Sequence, residues 1–186
     1  MNGPEAFPSE LCAEHRAMET VLRRLAGIRA DSGPGPDDDL RLLHALRELL
    51  DRHHTVEEEY LHPLVRRYLP AGGALADAAV HTHTTIRLLT DRALDRRLPP
   101  GERHHAIDTL LLVLRAHLRG EEDRLFPALR LRAPAEELRR CSRRVREAPP
   151  RNPPRPVWGL PPGTGAIAAV RDHLTGHDSG ENGRSP

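Results

Sequence analysis

The sequence has 186 residues and a formal net charge of +1. This length fits one domain with a tail, and the charge gives no basic footprint for nucleic acid. No apolar run approaches the roughly 20 residues of a membrane span, and Met1 to Pro8 lack the basic start and apolar stretch of a signal peptide. We therefore expect a cytoplasmic protein that binds neither nucleic acid nor membrane.

Four segments carry helical periodicity, and short connections rich in proline and glycine separate them. They run from about Ser9 to Arg29, from the acidic start at residues 37–39 to Leu69, from about Ala74 to Arg97, and from about Glu102 to Leu131. No segment alternates like a strand. Short connections between long helices favour antiparallel neighbours. The sequence thus predicts an all-α fold, an up-down-up-down four-helix bundle over residues 9–131.

Two further segments follow the bundle. Residues 132–147 include an amphipathic stretch that we expect to pack on the outside as an accessory helix. Residues 148–186 begin with a run too rich in proline for a packed element, and we expect this tail to be largely disordered. The tail is one place where a protein partner could bind.

One motif occurs twice, in the second and the fourth helix. His53-x3-Glu57-Glu58-x2-Leu61-x-Pro63 recurs position for position as His117-x3-Glu121-Glu122-x2-Leu125-x-Pro127. Side chains four residues apart lie on one face of a helix, so each histidine–glutamate pair can reach one metal ion or a bridged pair of ions. Five identities at fixed spacing predict a shared structural role for the two copies.

Each predicted helix also has a histidine in its apolar seam. The seams contain His15 in the first helix, His53 and Glu57 in the second, His83 in the third, and His117 and Glu121 in the fourth, where Ala106, Leu110, Val113, Leu125 and Ala128 complete the seam. A lone seam histidine is usually a satisfied core residue. Two buried carboxylates change that interpretation, because an unpaired buried ion costs several kcal/mol. A metal pair supplies the missing positive charge.

The cysteine content agrees with nitrogen and oxygen ligands for this metal. Cys12 and Cys141 are far apart and form no Cys-x-x-Cys pair, whereas the chain has twelve histidines. Neither a disulfide framework nor a thiolate zinc site is expected. The remaining histidines, including His44, His62 and His81, lie off the seams, and we expect them to be solvated.

At these residues the sequence resembles the hemerythrin-like, or HHE, family of bacterial cation-binding domains. Glu14-His15, the two repeated units and His83 carry the resemblance, which covers roughly residues 9–131. The family implies a non-haem di-iron centre that is open to O2, nitric oxide or peroxide. Carried over by motif, the implied iron ligands are His15, His53, Glu57, His83, His117 and Glu121.

The chain departs from the oxygen-carrying branch of this family. That branch has a second histidine one turn after the ligand of the third helix, where this chain has Arg87. It also takes a carboxylate five residues after the histidine of the fourth helix, which would be Glu122. The ligand set is therefore nearer a glutamate-rich branch, and reversible oxygen carriage is not the expected function.

Three functions remain open for a di-iron site in this fold, because a fold does not fix its chemistry. The first is a binding or sensing protein for O2, nitric oxide or redox state, which the lack of a second catalytic domain favours. The second is an enzyme that decomposes peroxide with iron as Lewis acid and redox centre. The third is iron storage or buffering.

The second helix offers two overlapping ligand pairs, His53 with Glu57 and His54 with Glu58. Counting back from Pro63 and from Pro127 selects the first pair. One residue rotates a side chain by about 100° around a helix, which takes His54 off the inward face. The second choice of ligands is therefore His54, Glu58 and Glu122.

Overall fold

The structure is a computed structural model that describes residues 7–30 and 36–149, with side chains described for 7–27 and 39–149. Within these ranges the regular structure is entirely helical. The predicted all-α class is confirmed. The disorder predicted for residues 148–186 concerns positions that, beyond Pro149, lie outside the described residues. The up-down-up-down order stays a prediction.

Five helices form the described part of the chain. They are α1 (Ser9–Ala30), α2 (residues 36–68), α3 (Gly72–Leu94), α4 (residues 100–132) and α5 (Ala135–Glu147). Prolines and glycines lie near most of the breaks, as the sequence predicts. The third helix begins and ends slightly earlier than predicted, because α3 takes in Gly72 and Gly73 and stops before Asp95. Among the described residues, no helix is both long enough and apolar enough to span a membrane.

A short π-helical segment interrupts both α2 and α4. In α2 it covers Glu57–Leu61, between the α-helical parts Pro36–Val56 and His62–Tyr68. In α4 it covers Glu121–Leu125, between Pro100–Gly120 and Phe126–Arg132. The backbone N–H of His62 donates to the carbonyl of Glu57, and that of Phe126 donates to the carbonyl of Glu121.

The prolines of the repeated motif explain where these π segments end. Pro63 and Pro127 have no backbone N–H, and a proline ring inside a helix clashes with the carbonyl four residues earlier. A π segment just before each proline rearranges those hydrogen bonds without breaking the helix. Each π segment begins at the first glutamate of the motif, Glu57 or Glu121. The motif therefore fixes the backbone at the two glutamates as well as supplying their side chains.

The helices α1 to α4 pack as a closed ring of neighbours, in which α1 contacts α2 and α4, and α3 contacts α2 and α4. Two apolar clusters fill the interior. One contains Met18, Leu46, Ile86 and Leu110, and the other contains Leu11, Leu61, Ala76 and Phe126. On every helix of the ring the inward histidine lies between a residue of the first cluster and a residue of the second. A polar layer thus crosses the bundle between two apolar ones.

The accessory helix α5 packs where α1 meets the π segment of α2. Its buried side chains are Leu138, Cys141, Ser142 and Val145, and three of them join the second apolar cluster. The prediction of an amphipathic helix outside the bundle agrees with this position.

The seam predicted for α4 is wrong in part. Val113, Leu125 and Ala128 are only half-buried, whereas Leu114, Phe126 and Leu129 are fully buried. Leu125 and Ala128 lie within and after the π segment, where the extra residue per turn shifts side chains around the axis, so uniform helical spacing misplaces them. Val113 and His117 precede the π segment and are half-buried, and His117 lies at the edge of the buried face, toward α3.

Gly72 is expected to be essential for the α2–α3 turn. A Cβ atom there would lie 2.0 Å from the carbonyl oxygen of Val65, which is backbone and cannot move aside cheaply. We expect Gly72→Ala to lower the free energy of unfolding by about 1–3 kcal/mol, the usual cost of overpacking. The measurement is urea denaturation followed by circular dichroism.

Gly27 provides the matched control in α1. A Cβ atom at Gly27 would meet no heavy atom within 4 Å. We expect Gly27→Ala to raise the free energy of unfolding by up to about 1 kcal/mol, because alanine is the better helix former. Equal effects of the two substitutions would show that the close approach at Gly72 does not constrain the turn.

Candidate metal centre

The polar layer brings together four histidines and two glutamates, one or two from each helix of the ring. These are the six side chains predicted from the seams: His15, His53, Glu57, His83, His117 and Glu121. Five of the six residues are less than 5% exposed, and His117 is half-buried. Their role as ligands stays a prediction, but the structure places them at one point in the bundle.

Glu57 lies between two pairs of histidines and directs one carboxylate oxygen toward each pair. Its Oε1 lies 3.3 Å from Nε2 of His53, and its Oε2 lies 3.2 Å from Nε2 of His83 and 3.9 Å from Nε2 of His117. The two oxygens of one carboxylate thus face different imidazoles. This is the arrangement of a carboxylate that bridges two ions.

Glu121, in the opposite helix α4, also directs one carboxylate oxygen toward each pair of histidines. Its Oε2 lies 3.4 Å from Nε2 of His15, and its Oε1 lies 3.6 Å from Nε2 of His117. Two groups of possible ligands result. We name them subsite A, with His15, His53, Glu57 and Glu121, and subsite B, with Glu57, His83, His117 and Glu121. Both glutamates belong to both subsites.

The unpartnered atoms show that these residues fit a pair of metal ions. Nε2 of all four histidines and both oxygens of Glu57 and Glu121 are buried without a hydrogen-bond partner. Buried polar atoms normally have partners, and eight orphans at one point need an explanation. Ligands bound at about 2.0–2.2 Å from one ion lie about 3–3.5 Å apart. The shorter nitrogen–oxygen distances above fall in that range.

The charges of the centre lead to the same conclusion. Burial, together with the negative charge of Glu121, raises the pKa of Glu57 well above its usual range. Burial alone would also raise the pKa of Glu121, but His117 and His15 lower it. Burial lowers the pKa of His53, and His15 lowers it further. Neutral imidazoles are the form that binds metal, and cations would stabilise both carboxylates as anions.

Comparison with known proteins agrees with this geometry. Residues 8–99 match the family model described as the Hemerythrin HHE cation binding domain. These residues belong to the hemerythrin HHE family. The match ends before α4, so the predicted ligands in α4, His117 and Glu121, rest on the internal repeat and on the geometry. No curated protein and no solved structure matches the chain.

The polar layer has approximate two-fold symmetry that relates α1 and α2 to α3 and α4. The ring centroids of His15 and Phe126 are 5.7 Å apart with 25° between the planes, and those of His83 and His62 are 5.6 Å apart with 22°. Nδ1 of His15 lies 2.8 Å from Oε1 of Glu122, and the corresponding distance from His83 to Glu58 is 2.9 Å. The repeated motif is thus the sequence signature of a symmetric centre.

Glu58 and Glu122, the second-choice ligands, are therefore placed outside the ring of inward atoms. Each is about two-fifths exposed and contacts the outer nitrogen of a histidine on another helix. A carboxylate that accepts a hydrogen bond from Nδ1 fixes the tautomer in which Nε2 is free to bind metal. In this geometry the second glutamate of each motif orients a histidine.

The sequence interpretation missed Glu14 and Arg52. Oε2 of Glu14 lies 3.0 Å from Nδ1 of His53, and its other oxygen forms an ion pair with Arg52. Arg52 in turn donates to the backbone carbonyl of Val145 in α5, at 2.8 Å. This chain of contacts connects the accessory helix to a predicted ligand. The sequence feature that could have pointed to Glu14 is its position directly before the seam histidine His15 in α1.

His54 is also buried, although the helical rotation predicts an outward position. It is 3% exposed, and its ring stacks on that of His83 at 3.9 Å with 9° between the planes. Its Nε2 lies near those of His83 and His117, so these three form another group of possible ligands. Two parallel stacked rings cannot both point a lone pair at one ion. In this structure His54 therefore packs against His83, a predicted ligand.

The expectation that His62 is solvated is wrong. It is 3% exposed, because it occupies the position that Phe126 has in the other motif and packs against His83 in the same way. Burial lowers its pKa to about 4. His44 and His81 are exposed, as expected.

Leucine substitutions distinguish the two neighbouring histidines of α2. The residue that corresponds to His54 in α4 is the buried Leu118, so the core accepts leucine at such a position. We expect His54→Leu to leave metal content nearly unchanged, and His53→Leu to reduce it at least by half. Metal analysis of the purified proteins measures this. The reverse ranking would make His54 the ligand.

His62 should make the metal-free protein sensitive to acid. Its pKa is about 4 in the folded chain and 6.5 in the unfolded chain, so both states are neutral above pH 6.5. Between pH 6.5 and about 4 the unfolded chain binds a proton that the folded chain does not. The contribution of His62 to the free energy of unfolding therefore decreases as the pH falls through this range.

His62→Phe tests this directly, because Phe126 shows that phenylalanine fits the equivalent position. The free energy of unfolding of the metal-free variant, from urea denaturation, should fall less with decreasing pH than that of the wild type. The exposed His104 serves as the control, and His104→Phe should keep the wild-type slope. If the free energy of unfolding of His62→Phe depended on pH as in the wild type, the acid sensitivity could not come from the buried His62.

Proposed function

We propose that the chain is a non-haem di-iron protein that binds O2 or nitric oxide, or senses redox state. The supporting observation is the pair of buried glutamates, each of which turns one oxygen toward each of two histidine pairs. An all-nitrogen-and-oxygen ligand set of imidazoles and carboxylates suits iron, and the described cysteines take no part in the possible metal groups. The identity of the metal as iron and the identity of the small molecule that it binds are both part of the proposal.

In this proposal His15, His53, Glu57 and Glu121 hold one iron, and Glu57, His83, His117 and Glu121 hold the other. Bound iron supplies a redox centre with Lewis acidity. The protein supplies the rest. Glu14, Glu58 and Glu122 orient three of the imidazoles through Nδ1, and the two apolar clusters keep bulk water from the layer between them. Burial also lowers the pKa of His53, His83 and His117, which favours the neutral imidazoles that bind metal.

The ligand geometry favours binding over iron storage. The eight converging atoms of subsites A and B are few, which favours a pair of ions over a large store. A storage function needs many ions for each chain. A pair of ions held by His15, His53, Glu57, His83, His117 and Glu121 would suit the binding of a small molecule.

Iron content and absorption test the proposal. Protein produced with iron should contain about two iron ions per chain, as the two subsites predict, and should show charge-transfer absorption in the near ultraviolet. A further spectral change on adding nitric oxide to the reduced protein is expected.

Three results would contradict the proposal, in different ways. A colourless protein with a single zinc per chain would remove the di-iron centre. Two irons without any response to O2 or nitric oxide would remove the binding function. Rapid evolution of oxygen on adding peroxide would instead identify the alternative, a peroxide-decomposing enzyme.

A further inference from the structure

The two symmetric halves of the centre differ on their outer sides. On the side of subsite A, the space outside His53 contains Glu14 and Arg52, with α5 beyond them. Counting from the paired histidines, Thr82 takes the place of Glu14 on the other side, and Ala116 takes the place of Arg52. The large polar side chains that seal one half are replaced by small ones in the other.

The same pattern continues along the helix pair. Val56 and Leu64 of α2, both buried, correspond to Gly120 and Ala128 of α4. The described residues include no helix on α3 and α4 that corresponds to α5. None of the described helices therefore covers the surface of α3 and α4 that corresponds to the surface under α5.

An apolar groove fills this position between α3 and α4. Its volume is about 730 Å³, and most of its lining side chains are alanine, leucine or valine. His117 and Glu121 form part of its wall, so the groove reaches two predicted ligands of subsite B. His15, His53 and Glu57 of subsite A do not line this groove, whereas His117 of subsite B and the shared Glu121 do. The groove therefore approaches the centre from the side of subsite B.

Of the four predicted histidine ligands, His117 has the fewest contacts at its outer ring nitrogen, Nδ1. His15, His53 and His83 each contact a carboxylate through Nδ1. Within the described ranges His117 has ion-pair contacts through Nε2, and no hydrogen bond is formed at its Nδ1. Thr82, which stands where Glu14 stands in the other half, lines the groove instead. The outer side of His117 thus faces the groove.

We infer that this groove is the binding and entry site for a small uncharged ligand, which reaches the centre on the His117 side. The inference rests on the proposed function and assigns the class of ligand and its route. Apolar cavities take up apolar gases and exclude ions, since a charge that leaves water without a partner loses far more free energy than a neutral diatomic molecule. O2 and nitric oxide both belong to this class.

Arg124 fits this role at the edge of the groove. Its side chain turns back along α4, so that Nη2 would lie 3.1 Å from a Cβ atom at Gly120. No ion pair is formed by Arg124 with a described residue. A cation at the edge and small apolar side chains at the bottom leave the approach to Glu121 open to neutral molecules.

Filling the groove tests the inference on the iron-loaded full chain. Ala116→Leu and Ala79→Leu each place a larger side chain in the groove wall, and the exposed Ala74→Leu on α3 is the matched control outside it. The association rate of nitric oxide with the reduced protein is measured by stopped flow, together with the iron content.

We expect each groove variant to bind nitric oxide at least about tenfold more slowly, which corresponds to about 1.4 kcal/mol in the barrier. Iron content should stay at the wild-type value, and Ala74→Leu should keep the wild-type rate. If Ala116→Leu fails to fold, Ala79→Leu decides the question alone from the opposite wall.

The outcomes separate the inference from the proposed function. Wild-type rates in both groove variants at full iron content would overturn the groove as the route, while leaving the di-iron function intact. Equal slowing by Ala74→Leu would also overturn it, because the effect would then be general. A wild-type protein without iron would overturn the proposed function, and the inference with it.

Discussion

Two carboxylates buried side by side determine how the rest of this bundle is built. Glu57 and Glu121 come from helices on opposite sides of the ring, are almost inaccessible to solvent, and have no hydrogen-bond partner for any of their four oxygens. Two such anions repel one another, and each loses its hydration. The raised pKa of Glu57 is the direct result. A pair of cations between the glutamates is the simplest way to stabilise both as anions.

The surrounding residues can be understood from that requirement. Four imidazoles complete the two groups of possible ligands, and three outer carboxylates contact imidazoles through Nδ1, which favours the tautomer whose Nε2 is free to bind metal. The two apolar clusters lie on either side of the polar layer. The paired π segments place the glutamates, because each begins at the glutamate and ends just before a proline. Ligand and backbone geometry therefore depend on the same short motif.

Much of the centre could be predicted from the sequence, because its ligands lie at local spacings. The repeat selected His53 with Glu57 and His117 with Glu121, and the structure brings both pairs together. Helix periodicity could not show the π segments, which depend on hydrogen bonds that span five residues, and so the seam of α4 was wrong at Leu125 and Ala128. The contacts of Glu14, and the burial of His62, depend on helices distant in sequence. Local pattern gives no information on such contacts.

The central claim is that two metal ions share Glu57 and Glu121. X-ray absorption at the iron edge of the iron-loaded chain tests it most directly, because it detects a second iron close to the first. The account predicts nitrogen and oxygen neighbours and an iron–iron distance of about 3.5–4 Å, the usual spacing of two-metal sites. Glu57→Gln should weaken or remove the iron–iron signal. Iron bound with the same neighbours but with no second iron nearby would contradict the account.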